Sequence, residues 1–275
     1  MSNALFTRQF LNPPSNPTGQ GGAGIFETQE IIPVKPISNL QYGAFGESIS
    51  VSKLNVFDWF DLLPVATTVV ATSDKYVLLI GSNTPVAAQS TTGGLLLSTG
   101  ATTGNQAGIA GISATGSAAP ITATNQLILR SRVQLPSLTT NYLSMGLNST
   151  VTNVNPIADG AEGASFLADP TNSLTASTGA TAAQALNWIL VTSVATVVTY
   201  TFTNVPILAA IDYQLNIILN PNLTWSFYIN SVLAGTPAAV ATLNTVVKII
   251  GGVDTTANTV ATGIIRYWQL ERSIG

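Results

Sequence analysis

Hydrophobic and polar residues alternate along most of the chain after about residue 45. Tyr213–Leu219 alternate, an Asn-Pro-Asn turn follows at 220–222, and Trp225, Phe227 and Ile229 share one face of the next segment. Successive side chains of a strand point to opposite faces, so this pattern predicts a β-hairpin.

The same period of two predicts which faces of two other strands are buried. In the first strand one face carries Leu127, Leu129, Ser131, Val133 and Leu135, and the other carries Arg130, Arg132 and Gln134. In the second, alternation places Ile264, Arg266, Trp268 and Leu270 opposite Ile265, Tyr267 and Gln269. Runs rich in Val, Ile, Thr and aromatic residues predict further strands: Ile49–Leu54, Thr67–Thr72, Tyr76–Gly81, Leu95–Ser98, Asn141–Leu147, Trp188–Ser193, Thr196–Thr203 and Val246–Gly251.

Helical patterns are short and weak. Only Thr178–Ala185 and Val56–Leu63 qualify, and neither exceeds two turns. Many short strands separated by Gly, Asn, Pro and Asp are typical of an all-β sandwich or barrel. We therefore predict one β domain over residues 46–275.

Residues 1–45 have a different character. A Pro/Gly/Asn tract occupies 12–24, and Pro33 and Pro36 exclude a central strand nearby. The segment still carries apolar residues, which favour an extended arm that docks on a partner over a disordered tail. The docking residues that we predict are Phe6, Phe10, Ile25, Phe26, Ile31 and Ile32.

Charge is scarce. Only 8% of the 275 residues are charged, against about 25% in ordinary soluble domains. No charged residue occurs in 76–129, 170–211 or 213–247. A surface so poor in charge favours a homo-oligomer, with a trimer preferred; a monomer with a Thr/Ser/Asn-rich exterior is the alternative.

Several classes of protein are disfavoured by composition. The most apolar stretch, 186–211, is interrupted by Asn, Thr, Ser and Pro, so it predicts strands and not a membrane span. The N-terminus lacks the pattern of a secretory signal peptide. A net charge of −3 provides no basic surface for nucleic acid.

Reactive side chains are also scarce. The chain has neither His nor Cys, which excludes His-dependent triads and zinc sites built on imidazole or thiolate. Asp58 and Asp61 flank Trp59, but no stretch matches the carboxylate pattern of β-sandwich glycosidases. Asp159–Gly163 is a calcium-type loop with too few oxygen ligands, and a polar turn is the simpler interpretation. We predict no enzyme activity, no catalytic or metal-binding residue and no cofactor.

Arg130 and Arg132 are the most distinctive charged pair. They stand two residues apart on one strand face, in a chain with nine basic residues. Two interpretations are equally open: a subunit interface, in which they pair with acidic residues of a neighbouring copy, and a solvent-exposed sheet face.

Several motifs together resemble the concanavalin/laminin-G-like jelly roll of phage virion proteins. They are the segments 94–100, 104–109, 125–133, 145–147, 163–166, 213–217, 225–233 and 265–270. Ser231 stands where that family usually has the glycine of a hairpin turn. The resemblance implies an antiparallel concanavalin-like jelly-roll β-sandwich, preceded here by the extended arm.

The same resemblance implies a function. We expect a virion structural protein that decorates or cements a phage capsid, assembled in the host cytoplasm, with the arm docked on the major capsid protein. The alternative is a carbohydrate-binding receptor module of a phage tail or head fibre, with Trp59, Tyr142, Trp188 or Tyr228 as stacking platforms for sugars.

Overall fold

The computed structural model describes residues 53–59, 76–80, 86–111, 118–122, 126–139, 141–154, 162–255 and 258–273. The chain divides into two compact units, 1–57 with 271–275 and 58–270, and the second holds almost all of the described residues. The predicted arm over 1–45, with its six docking residues, and the predicted strand Thr67–Thr72 lie outside the described residues.

The described elements are sixteen strands and two short helices. The strands are β1 Lys53–Trp59, β2 Tyr76–Ile80, β3 Val86–Gln89, β4 Leu95–Ser98, β5 Gln106–Gly111, β6 Ala118–Pro120, β7 Leu127–Gln134, β8 Asn141–Asn148, β9 Gly163–Ala168, β10 Asn187–Val194, β11 Val197–Pro206, β12 Asp212–Leu219, β13 Trp225–Ile229, β14 Val232–Gly235, β15 Val246–Thr255 and β16 Thr262–Ser273. The helices are α1 Thr175–Thr178 and α2 Ala182–Ala185.

The strands form two sheets. The first sheet has the order β14-β13-β12-β7-β16-β4-β3, and the second has the order β11-β10-β9-β8-β15-β5-β2, with β6 also paired to β15. The registered pairs are antiparallel. Strands that neighbour each other in space are often far apart in the sequence, as β12, β7 and β16 are.

The core lies between the two sheets. Aromatic side chains from both sheets meet there: the Phe166 and Phe227 ring centroids are 5.1 Å apart, and those of Trp188 and Tyr213 are 5.3 Å apart, both edge to face. Such contacts add about 0.5–1.5 kcal/mol beyond the burial of the rings. The all-β class predicted from the alternation is confirmed, and so is the antiparallel two-sheet sandwich that the resemblance implied.

The outer face of the second sheet is covered by the chain itself. Leu167, Ile189 and Val191 pack there under the helical segment that carries Ala180 and Ala185. Farther along this face, Leu79, Ala110 and Ile250 pack under Val154. The two clusters form a second layer of buried apolar residues on the outer side of this sheet.

Asp169 holds the helical segment that packs over Leu167, Ile189 and Val191. Its buried carboxylate accepts hydrogen bonds from the Ser173 amide at 3.0 Å, the Ser173 hydroxyl at 2.7 Å and the Leu174 amide at 2.8 Å. Because these bonds close the turn that leads into α1, they hold the helical segment against the sheet.

The weak helical predictions were wrong. Thr178–Ala185 is not one helix, because Gly179 adopts a left-handed φ of 71° and ends α1. Thr181 then starts α2 through a capping box with Gln184. At Val56–Leu63 the described part lies in β1, which is a strand.

The hairpin and the inward face of β7 were predicted correctly. β12 and β13 pair in antiparallel register, with Leu219 opposite Trp225. The inward side chains of β7 are buried in the core. Among the described residues, no helix has the length and apolar character needed to cross a membrane.

Candidate ligand-binding face on the first sheet

Polar side chains occupy the middle of the outer face of the first sheet, next to the outward-pointing apolar residues Ile128, Ile218, Leu96 and Ile264. Since the inward residues of β7, β12 and β13 are buried, the intervening residues point outward. We call this surface the polar face. Its members are Arg130, Arg132, Gln134, Asp212, Gln214, Asn216, Ser226, Tyr228, Arg266 and Tyr267.

An irregularity in β16 brings two consecutive residues onto the polar face. Ile265 and Trp268 are both buried in the core, although they are three residues apart. Arg266 and Tyr267, between them, both reach side chains of β12 on the outer side. The predicted placement of Arg266 with Trp268, opposite Ile265 and Tyr267, was therefore wrong, because strict alternation breaks at this point.

Asp212 is the centre of a charged network. One of its oxygens accepts hydrogen bonds from Gln134 at 3.0 Å and from Arg266 Nε at 3.1 Å. The other lies 3.1 Å from a terminal nitrogen of Arg132. Strands β12, β7 and β16 each contribute to the cluster, so sheet register sets its geometry.

The turn between β3 and β4 holds the other end of Arg266. Its guanidinium donates a hydrogen bond of 2.7 Å to the Thr92 carbonyl and another to the Gly93 carbonyl. Gly94 permits this approach, since a Cβ there would lie 2.8 Å from the Ile265 carbonyl oxygen. Arg266 is therefore committed to structure, and its side chain is only 14% exposed.

A depression of about 270 Å³ lies next to this network. It is lined by Arg132, Asp212, Gln214, Asn230 and Tyr267. The Arg132 side chain is 49% exposed, and among the described residues its only polar partner is Asp212. A guanidinium has five N–H donors, so most of those on Arg132 are available to a ligand.

Hydrogen bonds fix the other lining residues. The Gln214 amide N–H donates to Asn230 Oδ1 at 2.9 Å, and the Asn230 N–H donates to the Gln214 carbonyl at 2.8 Å. The Gln214 side-chain amide donates to the Tyr267 hydroxyl at 3.4 Å. The depression therefore presents amide, phenol and guanidinium groups whose positions are set before any ligand arrives.

The turn that carries Asn230 is tight. Asn230 and Ser231 have φ values of 50° and 70°, and the two-residue connection joins Ile229 directly to Val232. Such a pair of left-handed residues is typical of the type I′ hairpin. Ser231 therefore adopts the conformation that a glycine would usually supply.

The other buried carboxylates have structural partners. Glu162, from the predicted calcium-type loop, accepts hydrogen bonds from the amide and hydroxyl of Thr242. Asp254 is buried on β15, where the Tyr142 hydroxyl donates to it at 2.6 Å. Burial raises the pKa of the Asp254 carboxyl, and the Tyr142 hydrogen bond opposes that rise. Within the described ranges no three potential metal ligands of the Asp, Glu, His or Cys type lie together.

The predicted interface pair lies on the polar face. Arg132 forms its ion pair within the chain, with Asp212, and Arg130 is half-buried one row away. Their role in a subunit interface stays a prediction. Of the proposed stacking platforms, Trp188 and Tyr142 are buried and unavailable, whereas Tyr228 lies half-buried on the polar face. The Trp59 side chain lies outside the described residues.

Several residues of this face were missed by the sequence analysis, Asp212 above all. It is the single charged residue between two runs free of charge, 170–211 and 213–247. An isolated carboxylate in a stretch otherwise free of charge could have been selected from the sequence as a candidate site residue. Gln214, Asn230 and Tyr267 carry no comparable signal, because their proximity to Arg132 depends on the strand order.

Solved structures with a similar fold are known, although their sequences differ from this one. No family model matches the sequence, and no curated protein matches it. A protein of unknown function from Shewanella oneidensis MR-1 matches with a TM-score of 0.56 at 10% identity, over 84% of this chain and 91% of that one.

Two further solved structures resemble the chain more distantly. A carbohydrate-binding module, CBM66 from Bacillus subtilis, has a TM-score of 0.44 at 9% identity, over 74% of this chain and 96% of that one. The metal-free carbohydrate recognition domain of Emp46p has a TM-score of 0.48 at 10% identity, over 78% and 97% of the two chains. At these identities the similarity establishes the fold alone: the sandwich is concanavalin-like.

Proposed function

We propose that this chain is a carbohydrate-binding module that holds a saccharide on the polar face without cleaving it. The observation that carries the proposal is the depression where Arg132, Gln214, Asn230 and Tyr267 converge. Three of these side chains end in planar amide or guanidinium groups, which suit the paired hydroxyls of a sugar. Tyr267 adds an aromatic ring with a polar tip.

The character of the depression supports a hydrated ligand over an apolar one. Ordinary small-molecule sites are mostly apolar clefts of about 300–1,000 Å³. This one is smaller and is lined by polar side chains. A saccharide that extends across the sheet, with one unit in the depression, fits these properties.

Pre-formed geometry supports binding as the activity. The lining side chains come from β7, β12 and β16 and from a tight hairpin turn, so little conformational entropy is lost when a ligand binds.

The proposal excludes hydrolysis on the basis of the residues available. Glycoside hydrolysis ordinarily uses two carboxyl groups. The lining of the depression has one, Asp212, and both its oxygens already accept hydrogen bonds or an ion pair.

A glycan array with the full chain tests the proposed function. We expect binding to a subset of glycans, reduced at least tenfold by Gln214→Ala and by Tyr267→Ala. Val197→Ala, at an exposed residue of the edge strand β11 in the second sheet, is the control and should leave binding unchanged. No binding to any glycan, or equal binding by all variants, would contradict the proposal.

Capsid decoration is the second candidate, and exposed apolar residues at the sheet edges favour it. Val197 and Val232 are well exposed and begin β11 and β14, the edge strands at one end of each sheet. Exposed apolar residues on edge strands favour contacts between protein chains. Light scattering on the full chain tests this candidate: a trimer supports it and a monomer argues against it.

A further inference from the structure

We propose that the saccharide bound on the polar face is anionic, and that Arg132 receives its negatively charged group. This inference rests on the proposed carbohydrate-binding function and adds the class of sugar.

The network beside the depression has more positive than negative charge. Asp212 faces two arginines, Arg132 and Arg266. Its first oxygen accepts hydrogen bonds from Gln134 and Arg266, and its second lies against Arg132. Both carboxylate oxygens of Asp212 therefore already interact with donors of the same chain. One carboxylate cannot neutralise two guanidinium groups, and one positive charge is left over.

The two arginines have different roles. Arg266 is largely buried and donates to Asp212, Thr92 and Gly93, so it positions Asp212. Arg132 is half exposed and borders the depression. The surplus positive charge is therefore presented to a ligand by Arg132.

Asp212 prepares Arg132 for this role. By holding one terminal nitrogen of the guanidinium at 3.1 Å, it favours the orientation in which Arg132 borders the depression. The remaining donors of a planar fork match the two oxygens of a carboxylate or sulfate group. Charge-assisted bonds of this kind are stronger than those between neutral groups.

The rest of the chain makes this local charge distinctive. The net charge is −3, yet Arg130 lies on the same strand face as Arg132, one row away. The Arg132 guanidinium on a protein of net negative charge favours an anionic ligand over the same ligand without charge.

Two sources could supply the negative group: the carboxylate of a uronic acid or a sulfate ester. Both are planar or tetrahedral oxyanions that a guanidinium recognises. The test therefore uses an array that carries neutral, uronate-containing and sulfated oligosaccharides, followed by titration calorimetry with the best ligand.

We expect the hits to be anionic glycans. For a uronate hit, reduction of its carboxyl groups to alcohols should weaken binding about tenfold to a hundredfold, the range expected for loss of a charged hydrogen-bonded pair. Removing the sulfate ester from a sulfated hit should have the same effect. Which of the two classes binds identifies the source of the charge.

Three variants separate the role of Arg132 from general electrostatics. Arg132→Gln should weaken binding of the anionic glycan at least tenfold and abolish the preference over its neutral form. Arg132→Lys should recover only part of the affinity, since an ammonium group lacks the planar fork. Lys248→Gln, which makes the same change in net charge on the second sheet, should change affinity less than twofold.

The outcomes distinguish this inference from the proposed function. If neutral glycans bind as tightly as anionic ones and Arg132→Gln has no effect, the anionic preference is wrong while carbohydrate binding stands. If no glycan of any class binds, the proposed function itself fails. Circular dichroism of each variant checks that the sandwich is still folded.

Discussion

The outer faces of the two sheets differ in what lies on them. On the second sheet, apolar residues such as Leu167 and Ile189 are buried under a helical segment. On the first sheet, the equivalent surface carries Arg132, Gln214 and Tyr267, which line a depression. The same strand geometry thus serves stability on one side of the sandwich and supports ligand binding on the other.

The difference follows from the outward positions of the strands. Apolar residues there need a cover, because exposed apolar area costs about 25 cal/mol for each Å². Polar residues there need none, and they stay ordered through bonds to one another, as in the Asp212 network. Substitutions on the two faces should therefore have separate effects: stability for the second sheet and binding for the first.

The largest expected difference comes from the same truncation on each face. Leu167→Ala should lower the free energy of unfolding by about 2–5 kcal/mol, because the side chain is 0% exposed and its removal leaves a cavity. Leu233→Ala, at a residue that is 53% exposed on the first sheet, should change it by less than about 0.5 kcal/mol. Urea unfolding followed by tryptophan fluorescence measures both.

Equal losses in the two variants would contradict the comparison. They would mean that the edge of the polar face contributes to stability as much as the covered face does.

The covered face also contains a buried acid, which predicts a dependence on pH. Burial raises the pKa of Asp254 in the folded protein above its unfolded value, although Tyr142 donates a hydrogen bond to it. Between those two values the unfolded chain loses the proton first, so this group makes the protein less stable as pH rises. Below the unfolded value, near pH 4, its contribution is independent of pH.

Asp254→Asn isolates this contribution. The variant should have nearly the same melting temperature as the parent below about pH 4 and a higher one at neutral pH, since Asn stays uncharged. Tyr142→Phe removes the donor and should lower the melting temperature most at neutral pH. A difference between Asp254→Asn and the parent that stays constant with pH would contradict the assignment.

Alternation in the sequence was sufficient to predict the buried and outward faces of β7, β12 and β13, because successive side chains of a regular strand point to opposite faces throughout its length. It was insufficient at β16, where Ile265 and Trp268 are both buried. A break in alternation depends on neighbouring strands: β4 pairs with β16 only as far as Ile265, and the Ser90–Gly94 turn follows. Nothing local to 264–270 marks that position.

The candidate site was less predictable than the fold. Arg132 was singled out, yet its partner Asp212 is 80 positions away and Tyr267 farther still. They meet because β12, β7 and β16 are neighbours, an order that the sequence pattern does not specify. The cover of the second sheet was missed for a different reason, since small residues such as Ala180 and Ala185 have a weak apolar signal.

The smallest expected effects concern the two tight hairpins, one in each sheet. In the β10–β11 turn of the second sheet, Ala195 and Thr196 have φ values of 48° and 71°. In the β13–β14 turn, Asn230 and Ser231 have φ values of 50° and 70°. Left-handed backbone costs a β-branched residue most and Asn least, so the second-sheet turn is the more strained of the two.

Thr196→Gly should therefore raise the free energy of unfolding by about 0.5–1 kcal/mol, and Ser231→Gly by less. Gly179→Ala is the matched control: its φ is 71° and a Cβ there would contact nothing within 4 Å, so conformation alone should make it destabilising. Urea unfolding of the three variants gives the order. If Ser231→Gly stabilised the protein more than Thr196→Gly, the predicted order would be wrong. The greater backbone strain would then lie in the β13–β14 turn, beside the depression.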